Sequence, residues 1–340
     1  MGTLPVGISG SRSAAILGMS KYTTQLAVWQ QICEARRPGF NKERGYIFEP
    51  FDGDASTRFG HAFEGSVIEL TEQSMDRGIT DHEGEYNIIG DVPITCHIDG
   101  RFSPTHIFEG KSAYSRAYDK SWGEPGTDRI PATYQAQTQH NMMVTGAEEC
   151  TVSVLVFPRS PQEWEDEGWK IWKAKQLLEN NGDEFKYRLR HEKHGNIYPH
   201  NWATSLAQQG FFHQYHITAK PEVHKLLREA YNHFWANYVL TEQPPEISDY
   251  DDLKRLFPEP KGDLVVPEDV QNMLREYRDL GRELGTAGHL KKRQTVLKTN
   301  ILKFAKDQTT VADDDAIERV NFLDDCGNKL GSFNGKMFRC

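Results

Sequence analysis

The sequence predicts an α/β fold with a C-terminal helical appendage, on three observations. The first is "CTVSVLVFP" (150–158), a near-continuous β-branched run of the kind that forms a strand covered on both faces. The second is the alternation, up to that run, of amphipathic helical stretches with short strand-like ones. The third is a pair of helical patterns beyond "TEQPPE", followed by a hairpin-like tail, "IERVNFLDDCGNKLGSF".

From the N-terminus, "ISGSRSAAILGMS" (8–20) is a short extended entry followed by a helix, with Ser11 as a plausible cap. "TTQLAVWQQICEARR" (23–37) is a second helix with Leu26, Trp29 and Ile32 inward. "RFGHAFEGSVIELTEQS" (58–74) is a third, opening at Gly60 and burying Phe63, Val67 and Leu70. "EYNIIGDVPITCHIDGRF" (85–102) and "HIFEGKSA" (106–113) supply two or three strands, and "ATYQAQTQHNMMVTG" (132–146) is a helix that stops at Gly146. Residues 160–210 are less regular, with a Trp-rich helical piece over 164–180. "FFHQYHITA" (211–219) alternates as a strand, and "PEVHKLLREAYNHFWANYVL" (221–240) is an amphipathic helix with Pro at its start. Beyond it, a helix with Val270, Leu274, Tyr277 and Leu284 inward leads through "GTAGH" into a basic helix, 290–306. The expected division is a first domain over 1–245, carrying an insertion at about 160–210, and a second over 246–340.

Composition narrows the function classes. A chain of 340 residues with 37% hydrophobic content, 17 Phe, 13 Tyr and 7 Trp has the means to bury a core. No run approaches the roughly 18 apolar residues of a membrane span. "MGTLPVG" has neither the charged nor the apolar region of a signal peptide, so the cytoplasm is the expected location. The cysteines (Cys33, Cys96, Cys150, Cys326, Cys340) are scattered without CxxC spacing, and are expected to be ordinary thiols. The net charge of −9 argues mildly against nucleic acid as a partner. Charge is uneven, however: "HLKKRQTVLKTNILKFAK" (289–306) holds six Lys or Arg and no acid. Over a Debye length of about 8 Å the local sign outweighs the total.

One stretch carries chemistry. In "HIDGRFSPTHIFEGKSA" (97–113), strand alternation puts Glu109 and Lys111 on one face, about 6.6 Å apart, with Phe108 and Gly110 on the other. A hairpin-like return through "FSPTH" can bring Asp99 beside Glu109. Two carboxylates about 4 Å apart repel by roughly 4 kcal/mol at an effective dielectric of 20, a cost that a divalent cation or a proton offsets. With the Gly110 carbonyl as a further oxygen, the donor set suits Mg²⁺ or Mn²⁺. A hard cation beside a lysine is an arrangement for phosphodiester hydrolysis. The plainer alternative is a turn cap and a surface ion pair worth under about 1 kcal/mol.

The same string fits the PD-(D/E)xK nuclease pattern, and further motifs extend the likeness. "GISGSRSAAILGMSKY", "FGHAFEGSVIEL", the Asp99…Glu109-Gly110-Lys111 segment and "YQAQTQHNMMVTG" occur in the order and spacing of the YqaJ-like viral recombinase family, which includes lambda-type exonucleases. "FFHQYHITAKPEVHKLLREAYNHFW" resembles its closing strand and helix. The resemblance implies a restriction-endonuclease-like core, a central mixed sheet flanked by helices. It also implies roles. Asp99, Glu109 and Glu64 would hold Mg²⁺ (or Mn²⁺), two ions per site, and Lys111 would be the catalytic lysine. Gln137 would position water or the scissile strand, and Tyr134 would support it or pack. Ser9, Ser11 and Arg12 would grip a terminal 5′-phosphate. Family members carry an arginine ahead of the opening motif, which "MGTLPVG" lacks, so Arg12 is the substitute expected here.

The implied activity is Mg²⁺-dependent 5′-to-3′ degradation of double-stranded DNA ends, leaving 3′ overhangs. The implied partners are duplex DNA, a single-strand annealing protein and two further copies in a ring-shaped homotrimer. The implied setting is a phage or mobile element in a bacterial cytoplasm. The rivals are a site-specific endonuclease on the same core, a CRISPR-adaptation nuclease (which would carry clustered cysteines) and a non-catalytic DNA-binding recombination protein.

Overall fold

The structure is a computed structural model. It describes residues 6–50, 53–88, 90–173, 187–256, 262–283, 288–309, 320–333 and 338–339. The chain divides into two compact units, 1–21 with 51–236, and 22–50 with 237–340.

In the first unit β1 (Ile8–Ser9) runs straight into α1 (Gly10–Ile16). Ser9, not Ser11, is the cap residue, and its hydroxyl makes no capping bond. α2 (Ala55–Met75) begins five residues before Gly60, because the Asp54 carboxylate accepts from the Thr57 amide at 2.8 Å and closes the first turn there. β2 (Gly84–Ile88), β3 (Ile94–Ile98), β4 (Gly100–Ser103) and β5 (His106–Tyr114) follow, then α3 (Ser115–Ser121), α4 (Ala132–Thr145) and β6 (Glu149–Phe157).

The stretch expected as a helix over 164–180 is built differently. α5 (Pro161–Asp166) stops early, and Gly168 at φ 98° reverses the chain into β7 (Lys170–Lys173). β8 (Tyr187–His191) and β9 (Gly195–Ile197) pair with β7 in antiparallel order β7–β8–β9, and 174–186 lie outside the described residues. α6 (Pro199–Gln208), β10 (Phe212–Thr218) and α7 (Pro221–Phe234) complete the unit.

Two sheets position the chemistry. The smaller has order β1–β3–β2; the larger has order β10–β6–β5–β4, with β5 and β6 parallel and both outer pairings antiparallel. β6 is buried on both faces, which is why it lacks polar alternation. On one face Leu155 and Phe157 pack with Phe108 and with Phe59, Phe63 and Val67 of α2. On the other, Val152, Val154 and Val156 join Ile98, Ile107 and Met142, with α4 as the cover. This is the α/β core that the sequence predicts, a mixed sheet with helices on both faces.

A buried polar chain ties α1, β3, α4 and α7 together. His140 Nε2 lies 2.8 Å from the Thr95 carbonyl, so it carries the proton, since a carbonyl only accepts. Tyr231 Oη lies 2.8 Å from both His140 Nδ1 and Ser13 Oγ. Burial pushes the His140 pKa down to about 4, the Thr95 bond opposing it only in part. A depressed histidine stabilises the fold above its unfolded pKa and loses that contribution as pH falls through the folded one. The window is therefore about 6.5 down to 4, and the full loss is on the order of 3 kcal/mol. Urea unfolding of wild type and His140→Gln at pH 7 and pH 4.5 checks this: the wild type should lose more stability between the two. Equal losses would contradict it.

The second unit gathers helices Gln25–Arg36, Phe40–Glu43, Tyr250–Leu256, Glu268–Glu283 and Gly288–Thr309 with a four-stranded sheet. The sequence-based boundary at 245/246 leaves 22–50 with the first domain. Tertiary bonds place it here: Trp29 Nε1 donates to the Tyr238 carbonyl at 2.9 Å, and Thr24 Oγ1 donates to Asp252. The tail pairs Val320–Leu323 with Lys329–Phe333, and Leu253, Val270, Leu274, Ile301 and Phe322 form the core. Leu284 and Cys340 lie outside the described residues. The basic helix is partly neutralised by its neighbour, with Arg293 Nε 2.8 Å from Glu276 Oε1. Among the described residues no helix is long and apolar enough to cross a membrane.

Candidate active site

The site forms where the chain leaves the smaller sheet for the larger. Asp99 stands between β3 and β4, and Gly100 pairs with Phe108 at once. Only glycine permits that crossover: a Cβ at position 100 would collide with Ile79 Cγ2 and stand 3.2 Å from the Thr80 carbonyl oxygen. The pairing carries Asp99 to β5, where its Oδ2 accepts from the Gly110 amide at 2.7 Å. Thus the expected juxtaposition of Asp99 with the Glu109-Gly110-Lys111 segment is present.

Alternation along β5 sends Phe108 into the α2-side core, and Glu109 and Lys111 toward α4. Glu109 is only 2% exposed. Three donors address its carboxylate: the Lys111 ammonium and Gln137 Nε2 (2.7 Å) on Oε1, and Asn141 Nδ2 (3.1 Å) on Oε2. A buried charge survives only with such partners. Lys111 is itself largely buried, and its Nζ lies 5.2 Å from the Tyr134 ring centre, within cation–π range. Tyr134 therefore supports the lysine, while packing on Trp122 with ring centres 5.6 Å apart.

The electrostatics follow from this burial. Burial first, and then the charge of Glu109, push the Asp99 carboxyl up to about 8; Lys111 and the Gly110 amide oppose the shift, and Glu64 adds to it. For Lys111, burial favours the neutral amine, but Glu109 and Asp99 outweigh it and hold its pKa above the ordinary lysine value. Lys111 is accordingly a fixed cation here rather than a base.

Glu64 sits in the middle of α2, half-exposed, with His61 Nδ1 3.7 Å from its Oε2. With Asp99, Glu69, Glu72 and Glu83 it lines an open cleft of about 710 Å³, and no lysine or arginine is among the described lining residues. Among the described residues no three His, Cys, Asp or Glu side chains stand close enough together to hold a metal ion, so Glu64 does not close a three-carboxylate cluster with Asp99 and Glu109. The donor chemistry still fits a hard divalent cation. Asp99 is a partly buried carboxyl that resists ionisation beside a second carboxylate, which is the cost such an ion offsets.

The opening motif is arranged less simply. Ser9 Oγ and Ser11 Oγ lie 3.1 Å apart at the start of α1. Arg12 turns inward, 6% exposed, with its Nη1 donating to the Gly7 carbonyl at 2.8 Å. Burial lowers its pKa to about 10. Sequence reasoning missed Asn141 and Gly10. The signal for Asn141 was present, since it lies one turn beyond Gln137 on the same face of α4.

Residues 5–148 match the family model described as the YqaJ-like viral recombinase domain. Among solved structures, the chain is similar to an alkaline exonuclease (LHK-Exo) from Laribacter hongkongensis, at 14% identity and a TM-score of 0.46, covering 71% of this chain and 91% of that one. It is also similar to a phage-related exonuclease from Haemophilus somnus 129PT, at 13% identity and a TM-score of 0.41, covering 69% and 95%. No curated protein sequence matches. The motif order and the crossover at Asp99 agree with that match, and over residues 5–148 the chain is similar to the YqaJ-like viral recombinase domain.

Proposed function

We propose that the chain is a Mg²⁺-dependent double-stranded DNA exonuclease that degrades the 5′-ended strand of linear duplex and leaves 3′ overhangs. The observation that carries this reading is the buried grouping of Asp99, Glu109 and Lys111 on one strand crossover, inside a YqaJ-like domain. Asp99, Glu109 and the Gly110 carbonyl would hold the cation, with Glu64 of α2 on the wall of the cleft that Asp99 lines. When bound, the cation supplies an activated water and polarises the scissile phosphoryl group.

The chain's own residues do the rest. Lys111 holds its proton and offers a fixed positive charge where negative charge develops in the transition state. Gln137 fixes Glu109 from α4, so that the carboxylate does not have to reorganise during the reaction. Ser9 and Ser11 present hydroxyls for the terminal 5′-phosphate, and Arg12 braces the turn beneath them through Gly7. The carboxylate wall of the cleft would repel a phosphate until cations sit along it, which agrees with metal dependence. A homotrimer acting with a single-strand annealing protein in phage-type recombination is the setting this reading assigns.

Linear duplex labelled at its 5′ or its 3′ end tests the reading, with Mg²⁺ or EDTA and a closed circle alongside. The expected result is early Mg²⁺-dependent release of the 5′ label, retention of the 3′ label and an intact circle. Cutting of the circle would make the enzyme an endonuclease. DNA binding without cleavage under any divalent ion would leave a binding protein.

A further inference from the structure

Glu109 has four lone-pair positions on its two oxygens. Among the described residues, Lys111 and Gln137 both donate to Oε1, and Asn141 alone donates to Oε2. Oε2 is therefore the oxygen with a position left to offer, and what aims it is Asn141. The amide has a second bond, Nδ2 lying 3.4 Å from the carbonyl of His97, two residues ahead of Asp99. One side chain thus spans from Glu109 to the backbone that presents Asp99.

The orientation of that amide is over-determined. Asn141 is 1% exposed, and its Oδ1 has no hydrogen-bond partner among the described residues. Turning the amide over would set an oxygen against the Glu109 carboxylate and forfeit the His97 bond as well. The oxygen instead abuts α1 at Gly10, where a Cβ would come within 2.5 Å of it. A buried amide that leaves its acceptor unpaired in order to keep both donors on the site is not explained by packing, for which an apolar side chain would serve better.

We propose that Asn141 is a positioning residue that aims Glu109 Oε2 at a divalent cation and sets its distance from Asp99, with Gly10 as the backstop that holds the amide in place. This rests on the nuclease reading above. Asn141 acts through Glu109, and Gly10 acts through the Asn141 amide.

Asn141→Leu keeps the branched heavy-atom skeleton with somewhat bulkier ends, removes both donors and relieves the unpaired acceptor. Gly10→Ala is a second variant, whose Cβ would meet the Asn141 oxygen first and Gln137 Cγ (3.3 Å) and His140 Cδ2 (3.4 Å) less closely. Mn²⁺ titration by calorimetry on full-length protein without DNA is the primary readout, with thermal unfolding as the control for fold. Both variants should bind Mn²⁺ about 10- to 100-fold more weakly than wild type, the range typical for loss of a partner that orients a metal ligand. The Mg²⁺ concentration for half-maximal cleavage should rise by a similar factor, while kcat at saturating Mg²⁺ changes much less. A crystal structure of Asn141→Leu without metal should show the Glu109 carboxylate rotated. Wild-type affinity and an unmoved Glu109 in both variants would overturn the proposal and leave the nuclease reading standing. A wild-type protein that binds no Mn²⁺ and cleaves nothing would overturn both.

Discussion

Lys111→Ala should abolish cleavage of linear duplex, a loss of at least about a thousandfold, since it removes a fixed cation beside the two carboxylates. It should also destabilise the metal-free protein. Among the described residues Lys111 is the only charged donor on Glu109, and removing one member of a buried pair costs about 3–5 kcal/mol because the other charge stays buried. Mg²⁺ should restore part of that stability without restoring activity, because a cation can compensate the carboxylates but does not replace the ammonium. Thermal unfolding with Mg²⁺ and with EDTA, run beside a nucleotide-release assay, separates the two effects. Normal turnover by this variant would remove Lys111 from the mechanism.

Asp99→Asn should lose activity to a similar degree, yet it should move stability the other way. The Asp99 carboxyl has its pKa raised by burial and by Glu109. A raised acid binds its proton more tightly in the folded state than in the unfolded one. Its favourable contribution is therefore complete below about pH 4, and is lost as pH rises through the folded value of about 8. The substituted amide carries no such liability, and its oxygen can still accept from Gly110. Without metal, the variant should be more stable than wild type, with the gap widening from pH 5 to pH 9. An equal or lower melting temperature at pH 9 would contradict the burial argument. The opposite signs of the two stability effects distinguish a functional pair of carboxylates from a merely structural ion pair, which both variants would weaken.

The parts of this site that the sequence makes legible are those ruled by local periodicity. Alternation along a strand put Glu109 and Lys111 on one face, and the apolar run at 150–158 marked β6, the strand against which β5 registers residue for residue. Asp99 was expected beside Glu109 through a hairpin-like return at "FSPTH", but the crossover at Gly100 depends on clearance from Ile79, which is far away in sequence. Gln137 came only from the likeness to a family. Asn141 was not found, since its meaning lies in the pairing of α4 with β5. Arg12 was expected to grip a terminal phosphate, but burial of α1 turned it onto the Gly7 carbonyl.

The misplaced elements have similar causes. "EWEDEGWKIWK" contains good helix formers, but Gly168 adopts a left-handed conformation and Trp169 packs on Trp164, so the chain turns back as a strand. Residues 23–37 form the helix expected of them, yet its apolar face belongs to the second unit, and no local pattern encodes which partner a helix will choose.

If Asp99, Glu109 and Lys111 form a metal-dependent phosphodiester-cleaving centre, one assay on two proteins should reveal it. Nucleotide release from linear duplex DNA is measured for wild type and Asp99→Asn, purified in parallel, with Mg²⁺ or with EDTA. Wild type should release nucleotides with Mg²⁺ and not with EDTA, and the variant should release none under either condition. Equal release by the two proteins, or none by wild type with any divalent ion, would mean that these three residues are not such a centre.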